Sequence, residues 1–153
     1  MAAAEIKKAR FSDPVVQFSI FVENKVGRLL ETINLLADRD IHVMAITTMD
    51  TTDSAILRMV VDDPDSARQL LFEHGLAHAE TEVLVVELNG ATEVQQVLCI
   101  ILQAEINVHY TYAFISRPQG RGALAIHLED LELGSQALIR HGHKVLGQAD
   151  ISR

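Results

Sequence analysis

The sequence is poor in aromatic residues and in cysteine. It has no Trp, two Tyr and five Phe among 153 residues, so an apolar core must be built mainly from Ile, Leu and Val. That composition suits sheets packed against helices. The single cysteine, Cys99, excludes an internal disulfide and a thiolate metal cluster, and it indicates a reducing cytoplasm. No stretch approaches the ~20 apolar residues of a membrane span, so we expect no membrane partner.

Positive charge is also scarce. Thirteen Lys and Arg stand against 21 Asp and Glu, and the formal net charge of −8 repels phosphate backbones and anionic membranes. Nucleic acid is therefore not an expected partner. Residues 1–13 carry Lys7, Lys8 and Arg10 but lack the apolar run of a secretory signal, and we interpret them as a leader. The remaining length fits one ordinary domain or two small ones.

The chain repeats itself at an offset of 65 residues. At this offset Asn24 faces Asn89 without a gap, and Ile41 to Val43 faces Ile106 to Val108. Downstream the offset is 67, where Asp62 to Gly75 aligns with Glu129 to Gly142. The matches agree in order and in element type, which indicates a duplication.

Hydrophobic periodicity predicts the same elements in both copies. Period-two alternation predicts a strand over 15–22, and helical spacing predicts a helix from 29 to 37. A hairpin and a second helix follow, with Asp63 as N-cap and Pro64 at the first helical position. The other predicted strands are 41–49, 55–61, 81–88, 108–116, 123–128 and 145–152, and the other helices are 92–104 and 130–141.

The predicted strands number seven, whereas two complete β-α-β-β-α-β units would need eight. Either the segment 81–88 serves both units, or one sheet is completed from outside. Residues 97–102 are apolar all round, which indicates a helix buried on more than one side. Together with the missing strand, this helix indicates a closely joined pair of units and a homodimer.

Tyr110, Tyr112 and Phe114 alternate along a strand, where core or interface packing is the expected role.

The segment from Phe18 to Leu29, followed by Ile33, Leu36 and Asp40 to Val43, resembles the ACT domain. That family carries a strand, a polar residue, a Pro-Gly-x-Leu-like turn, a helix and a second strand. The resemblance implies an α+β fold of two ferredoxin-like βαββαβ sandwiches with antiparallel sheets, sharing or exchanging a strand. We expect one module over 14–80 and a second over 81–153.

The resemblance also implies an amino-acid site at the turn between the first strand and the first helix. A helix N-terminus offers unpaired N–H groups to a carboxylate, and Gly27 lets a ligand approach. Asn24 could bind an ammonium or a carboxylate, and Lys25 and Arg28 could add charge. The candidate ligand-binding residues of this turn are Asn24, Lys25, Val26, Gly27, Arg28 and Leu29. The alternative is that Gly27 only permits the turn and both cations are solvated.

The second copy departs from the family pattern. Its turn consists of Asn89, Gly90, Ala91 and Thr92, so Thr92 stands where the first copy has Gly27. These four residues are candidates for a second amino-acid site, which the departure leaves altered or absent. In the first copy Val26 stands where the family often has Pro.

Metal and catalytic sites are not expected. The seven histidines lack ligand spacing, and Cys99 has no His three or four residues further on. No nucleophile elbow, phosphate-binding loop or zinc-binding helix motif is present. We therefore expect a non-enzymatic regulatory protein without a cofactor, which binds a small amino acid and acts on a regulated enzyme. The alternatives are a ligand-free interaction module and, more remotely, a small ferredoxin-like hydrolase using Arg28 and Asn24.

Overall fold

The computed structural model describes residues 13–23, 25–116 and 120–152 of the chain. Within these residues it contains seven strands, namely β1 (Val15–Glu23), β2 (Val43–Asp50), β3 (Ser54–Val61), β4 (His78–Leu88), β5 (Val108–Ala113), β6 (Gly122–Leu128) and β7 (Val145–Leu146). The helices are α1 (Arg28–Asp38), α2 (Pro64–Glu73), α3 (Thr92–Gln103), α4 (Leu131–Arg140) and α5 (Gln148–Ile151). None of the described helices has the length and apolar character needed to cross a bilayer.

Strand β4 belongs to two sheets. Its first half pairs with β1, where Val83 lies opposite Val15, and its second half pairs with β6, where Leu84 lies opposite Ile126. The first sheet has the order β2-β3-β1-β4 and the second the order β7-β4-β6-β5, with antiparallel pairing throughout. Two ferredoxin-like units that share a strand are therefore confirmed, and sharing accounts for the count of seven. The expected boundary between residues 80 and 81 lies inside this strand.

The helices cover one face of each sheet, and the other two faces pack against each other. Phe18, Leu36 and Leu71 represent the core of the first unit, and Leu84, Ile101 and Leu138 that of the second. A third cluster lies between the sheets and contains Val15, Ala45, Val60, Val83, Val85, Tyr112, Ala123, Ala125, Leu146 and Ile151. Tyr110 and Phe114 pack at its margin, as the alternation along β5 predicts. The helix-free face of each sheet is thus largely covered within the chain.

Local signals fix the helix starts. The Asp63 side chain accepts a hydrogen bond from Ser66 N at 3.2 Å, with Pro64 at the first position of α2, which confirms the predicted cap. Asp130 accepts from Leu133 N at 3.0 Å in the same way at α4.

The predicted last strand over 145–152 is wrong beyond Leu146. After Gly147 the chain forms the short helix α5, because Asp13 binds its first amides: Gln148 N donates to Asp13 O at 3.1 Å and Ala149 N to Asp13 Oδ2 at 2.8 Å. The Gln148 side chain also accepts from Val16 N at 3.1 Å and donates to Val61 O at 3.2 Å. These contacts attach the end of the second unit to the first.

The expectation that the helix over 97–102 is buried on more than one side is also wrong for the single chain. Val97, Ile100 and Ile101 are buried, but Leu98 and Leu102 are 38% and 75% exposed. The helix therefore has one covered and one open face, and the open face carries Leu98 and Leu102 among polar residues such as Gln95 and Gln96.

The two copies differ by one residue at the turn after the first strand. Asp40 and Glu105 both adopt φ 59°, and Ile41 and Ile106 are both buried, so the helices keep the offset of 65. The first strands of the two copies differ from this. Phe18 lies opposite Met59 in the first copy, and Leu84 lies opposite Ile126 in the second, so Phe18 and Leu84 are equivalent at an offset of 66. Both side chains then face the helices of their own unit. The first strands therefore align at an offset one residue larger than the helices, because an odd shift would turn the strand's core face outward. The second turn is one residue shorter than the first.

Candidate functional site

The first candidate turn joins β1 to α1, and its backbone depends on a glycine. Gly27 precedes the helix at φ 89° and ψ −15°, a left-handed conformation that residues with a Cβ rarely adopt. A Cβ added there would meet nothing within 4 Å. The glycine is thus required by backbone conformation, and the space beside it is open. Asn24, the first predicted binding residue, lies outside the described residues.

The start of α1 is open to solvent. In the described part of the chain no side chain caps this helix, and the Gly27 carbonyl accepts from Glu31 N at 2.9 Å. Arg28 N donates to Lys25 O at 3.2 Å, while the other first-turn amides have no partner within the helix and give its N-terminus a partial positive charge. Val26 and Leu29 are both exposed beside these amides, at 107% and 43%. The turn therefore presents donors and positive charge next to apolar surface.

Both cations of this turn form exposed ion pairs with neighbouring carboxylates. Lys25 Nζ lies 2.8 Å from Glu23 Oε2, and Arg28 Nη1 lies 3.1 Å from Glu31 Oε2. The hydrogen bond from Lys25 holds the pKa of the Glu23 carboxyl below its ordinary value. Exposed ion pairs contribute little to stability, so a ligand carboxylate can compete for either cation.

The hairpin between β2 and β3 supplies further polar groups beside the turn. Glu23 lies opposite Ser54 in the β1–β3 ladder, and Glu23, Lys25, Thr52 and Asp53 line one shallow depression. Sequence reasoning missed Glu23, Thr52 and Asp53 as site residues. Their proximity comes from strand register, which leaves no local signal. The depression thus carries a cation and two carboxylates, the charge pattern that a zwitterion requires.

The second candidate turn is filled by its own side chains. The Glu93 carboxylate accepts hydrogen bonds from Asn89 N at 2.7 Å and from Asn89 Nδ2 at 3.1 Å, and these bonds lower the pKa of Glu93. Arg121 Nη1 donates to Asn89 Oδ1 at 3.3 Å. Ala91 is helical at φ −62°, and Thr92 begins α3. The Glu93 carboxylate therefore pairs with the backbone and side-chain amides of Asn89, the first residue of this turn.

The structure does not bring the two turns together. The first turn lies at the beginning of β4, where Phe21 N donates to Ala77 O at 2.9 Å, and the second directly follows the end of β4. Eleven strand residues separate the two ends by about 35 Å. A site built from both turns of one chain is thus excluded by distance.

A cleft of about 570 Å³ lies between α3 and the end of α4. It is lined by Thr92, Gln95, Gln96, Cys99, Ile100, His141 and His143. His141 Nδ1 is bonded to Ala137 O at 2.8 Å. No group of three His, Cys, Asp or Glu side chains among the described residues is arranged to hold a metal ion.

Comparison with known proteins places these features in a family. The family model described as "ACT domain pair" matches residues 14–152. The crystal structure of protein BT0572 from Bacteroides thetaiotaomicron is 26% identical, covers 92% of this chain and 96% of its own, and superposes with a TM-score of 0.82. No curated protein sequence matches significantly.

Two more distant structures share the fold. The regulatory subunit of aspartate kinase from Thermus thermophilus, in its ligand-free form, is 17% identical and covers 84% of this chain and 91% of its own, with a TM-score of 0.58. The corresponding subunit from Thermus flavus is 16% identical, covers 84% and 93%, and has a TM-score of 0.55.

Proposed function

Because the chain belongs to the ACT domain pair family, we propose that it is a non-enzymatic regulatory protein that binds a small amino acid at the turn between β1 and α1. The observation that carries this proposal is the open start of α1 at Gly27, beside two cations whose partners are exposed carboxylates. The second turn offers no such opening, since Glu93 fills it.

The charges of the first turn match the two ends of an amino acid. The ligand carboxylate accepts from the first amides of α1 and from Arg28, and it displaces Glu31 from that side chain. The ligand ammonium binds at the depression beside the turn, where Glu23 and Asp53 carry negative charge. Val26 and Leu29 are the exposed apolar groups available to an aliphatic side chain.

The proposed site lies between modules, and the neighbouring module comes from a second copy of the chain. Within one chain the other turn is about 35 Å away at the far end of β4. A homodimer would supply the missing wall of an open depression. Ligand binding then shifts the module interface, provided that the ligand has unequal affinity for the two arrangements.

The target of this regulation is proposed to be an enzyme. Two structures of the same fold are regulatory subunits of aspartate kinase, and they support a regulatory role for this chain through the shared architecture.

The second candidate function is a ligand-free interaction module. Two exposed leucines on α3 favour it, because Leu98 and Leu102 are 38% and 75% exposed on this one helix. In that case a partner protein covers α3, and the first turn binds no ligand.

A thermal-shift screen with the twenty amino acids separates the two functions. An amino acid present at a hundred times its Kd stabilises the folded protein by roughly 2.7 kcal/mol and raises the melting temperature by several degrees. The proposal expects one chemically related group of amino acids to do so. If none shifts the melting curve, the interaction module is the better description.

Variants then locate the site. Arg28→Gln and Lys25→Gln are exposed changes that leave the fold intact, and each is expected to reduce the shift. Glu93→Gln at the second turn is the matched control, and it should leave the shift unchanged. A shift lost only in the control would contradict the assignment to the first turn.

A further inference from the structure

A half-buried arginine lies at the margin of the contact between the two sheets. The guanidinium carbon of Arg58, on β3, lies 4.1 Å from the centroid of the Tyr110 ring on β5. Ser19 and Thr47 are its direct cross-strand neighbours in the first sheet. Stacking on a ring covers one face of a guanidinium and leaves the N–H groups in its plane available.

The polar groups around Arg58 lack acceptors. Within the described part of the chain the Arg58 guanidinium forms no hydrogen bond and no ion pair, while its stacking contact with Tyr110 is retained. The Tyr110 hydroxyl accepts from Gln17 Nε2 at 2.6 Å, and its own proton has no acceptor among the same residues. His127 Nδ1 is buried without a partner, 4.9 Å between ring centroids from Tyr110. A buried ring nitrogen without a hydrogen-bond partner among the described residues costs free energy that a partner would recover.

Arg58 is the permanent positive charge of this margin, and two histidines lie near it. His109 of β5 packs against His127 of β6 with 4.9 Å between ring centroids, and both lie on the side of Arg58. Burial, followed by the charges of His109 and Arg58, lowers the pKa of His127. An anion placed here would oppose the effect of the Arg58 charge on His127.

An exposed row of apolar side chains adjoins this cluster on the same face of the first sheet. Phe21 lies opposite Ile56, and Ile56 lies opposite Met49. Phe21 and Met49 are 45% and 42% exposed. This row, called here the apolar strip, lies two residues along the strands from Ser19, Arg58 and Thr47, about 7 Å away.

We propose that this margin binds a monocarboxylate with a short hydrocarbon chain. The carboxylate lies on the free edge of the Arg58 guanidinium, beside the rings of Tyr110 and His127. The hydrocarbon chain lies along the apolar strip formed by Phe21, Ile56 and Met49.

The geometry favours a carboxylate with a tail over a small inorganic anion. A guanidinium edge and a carboxylate match in a planar pair of parallel hydrogen bonds. A fully hydrated phosphate would gain nothing from the apolar strip, whereas each methylene buried there adds to affinity. The site is separate from the turn at Gly27 and does not rest on amino-acid binding there.

A chain-length series tests the proposal on the full protein. Acetate, butyrate and hexanoate are titrated at constant ionic strength while the side-chain resonances of Arg58 and His127 are followed by NMR. Saturable shifts are expected, with the Kd falling about two- to fourfold for each added methylene. Hexanol, which has the chain without the carboxylate, should bind at least tenfold more weakly than hexanoate.

Variants separate the two parts of the site. Arg58→Gln should weaken hexanoate binding at least tenfold, and Arg140→Gln, a change of an exposed arginine in the last turn of α4, is the matched control that leaves it unchanged. Met49→Thr, an exposed change that keeps Arg58 intact, should preserve acetate binding and reduce the gain per methylene. If Arg58→Gln does not fold, Met49→Thr and the hexanol comparison still decide.

Several results would overturn the proposal. They are equal affinity for acetate and hexanoate, equal affinity for hexanoate and hexanol, tighter binding of inorganic phosphate than of any carboxylate, or titrations that produce no saturable shift. The last result would mean that water alone satisfies Arg58 and His127.

Discussion

Tyr112 and Gln17 join the two sheets by a buried hydrogen bond. The Tyr112 hydroxyl donates to Gln17 Oε1 at 2.5 Å, although the residues are 95 positions apart. Gln17 is fully buried, and burial raises the pKa of Tyr112 above its ordinary value. Because Gln17 Nε2 is bonded to Tyr110, the amide is satisfied at both ends and fixes how one sheet lies on the other.

Removal of the Tyr112 hydroxyl is expected to destabilise the protein. Tyr112→Phe leaves Gln17 Oε1 buried without its donor, which costs about 1–3 kcal/mol of unfolding free energy. Urea denaturation measures the loss. The double variant, with Tyr112→Phe and Gln17→Met together, should lose less unfolding free energy than the two single variants lose in sum. If the two losses simply add, the hydrogen bond contributes nothing to stability.

The two glycines of the candidate turns should respond differently to alanine. Gly27→Ala places a Cβ at φ 89° and is expected to cost about 1–2 kcal/mol. Gly90→Ala is the matched control, because Gly90 is not among the glycines of positive φ and its Cβ would meet nothing within 4 Å. It should be neutral or slightly stabilising. Thermal unfolding of both variants checks this, and equal losses would contradict it.

The side chain of Gln148 should control the stability of the first strand. It accepts from Val16 N and donates to Val61 O, so Gln148→Ala leaves two backbone groups of the first unit without these partners. We expect a loss of about 1–2 kcal/mol and faster hydrogen exchange at the Val16 amide. Gln96→Ala, on the exposed side of α3, is the control. Unchanged exchange at Val16 would show that α5 does not support β1.

The ion pair of Glu80 with Arg68 should make stability depend on pH. Arg68 donates to Glu80 through Nε at 2.9 Å and Nη2 at 2.6 Å, and these bonds lower the pKa of Glu80. The folded state therefore keeps the carboxylate charged to lower pH than the unfolded state. The stabilisation is fully present above the unfolded pKa of about 4.3 and is lost as pH falls through the lower folded value.

Glu80→Gln should therefore reduce stability by at most about 1 kcal/mol at pH 7, since the pair is partly exposed, and by nothing at pH 2. Denaturation curves at both pH values, at low and high salt, measure the difference. Glu82→Gln changes an exposed carboxylate of the same strand and serves as control. If Glu80→Gln is still less stable than the unsubstituted protein at pH 2, the loss of stability comes from side-chain packing and not from the charge of Glu80.

Elements whose signals are local were predictable from the sequence. Alternation placed β1, and Asp63 with Pro64 placed the start of α2, because both signals act within a few residues. The last strand failed for the opposite reason: Asp13, more than 130 positions away, selects a helical turn at Gln148. The apolar composition of α3 gave no information about which of its faces the second sheet would cover.

The candidate site could be predicted only in part. The turn at Gly27 follows from its own sequence, but the depression beside it needs Asp53, which is brought there by the pairing of Glu23 with Ser54. Amino-acid binding at that turn stays a prediction. The cluster of Arg58, Tyr110 and His127 has no sequence signal, since its members meet only when the two sheets pack face to face.

The sharing of β4 by both sheets limits how such a protein can evolve by recombination. Because one strand carries ladder bonds of both halves, a recombination crossover at the midpoint of the chain would cut through two sheets at once. A half from another protein could be inherited intact only if the crossover fell in the loop before His78 or in the one after Leu88. All of β4 would then come from one parent sequence. Even then the incoming half would have to match the exposed hydrogen-bonding edge of a strand it did not encode.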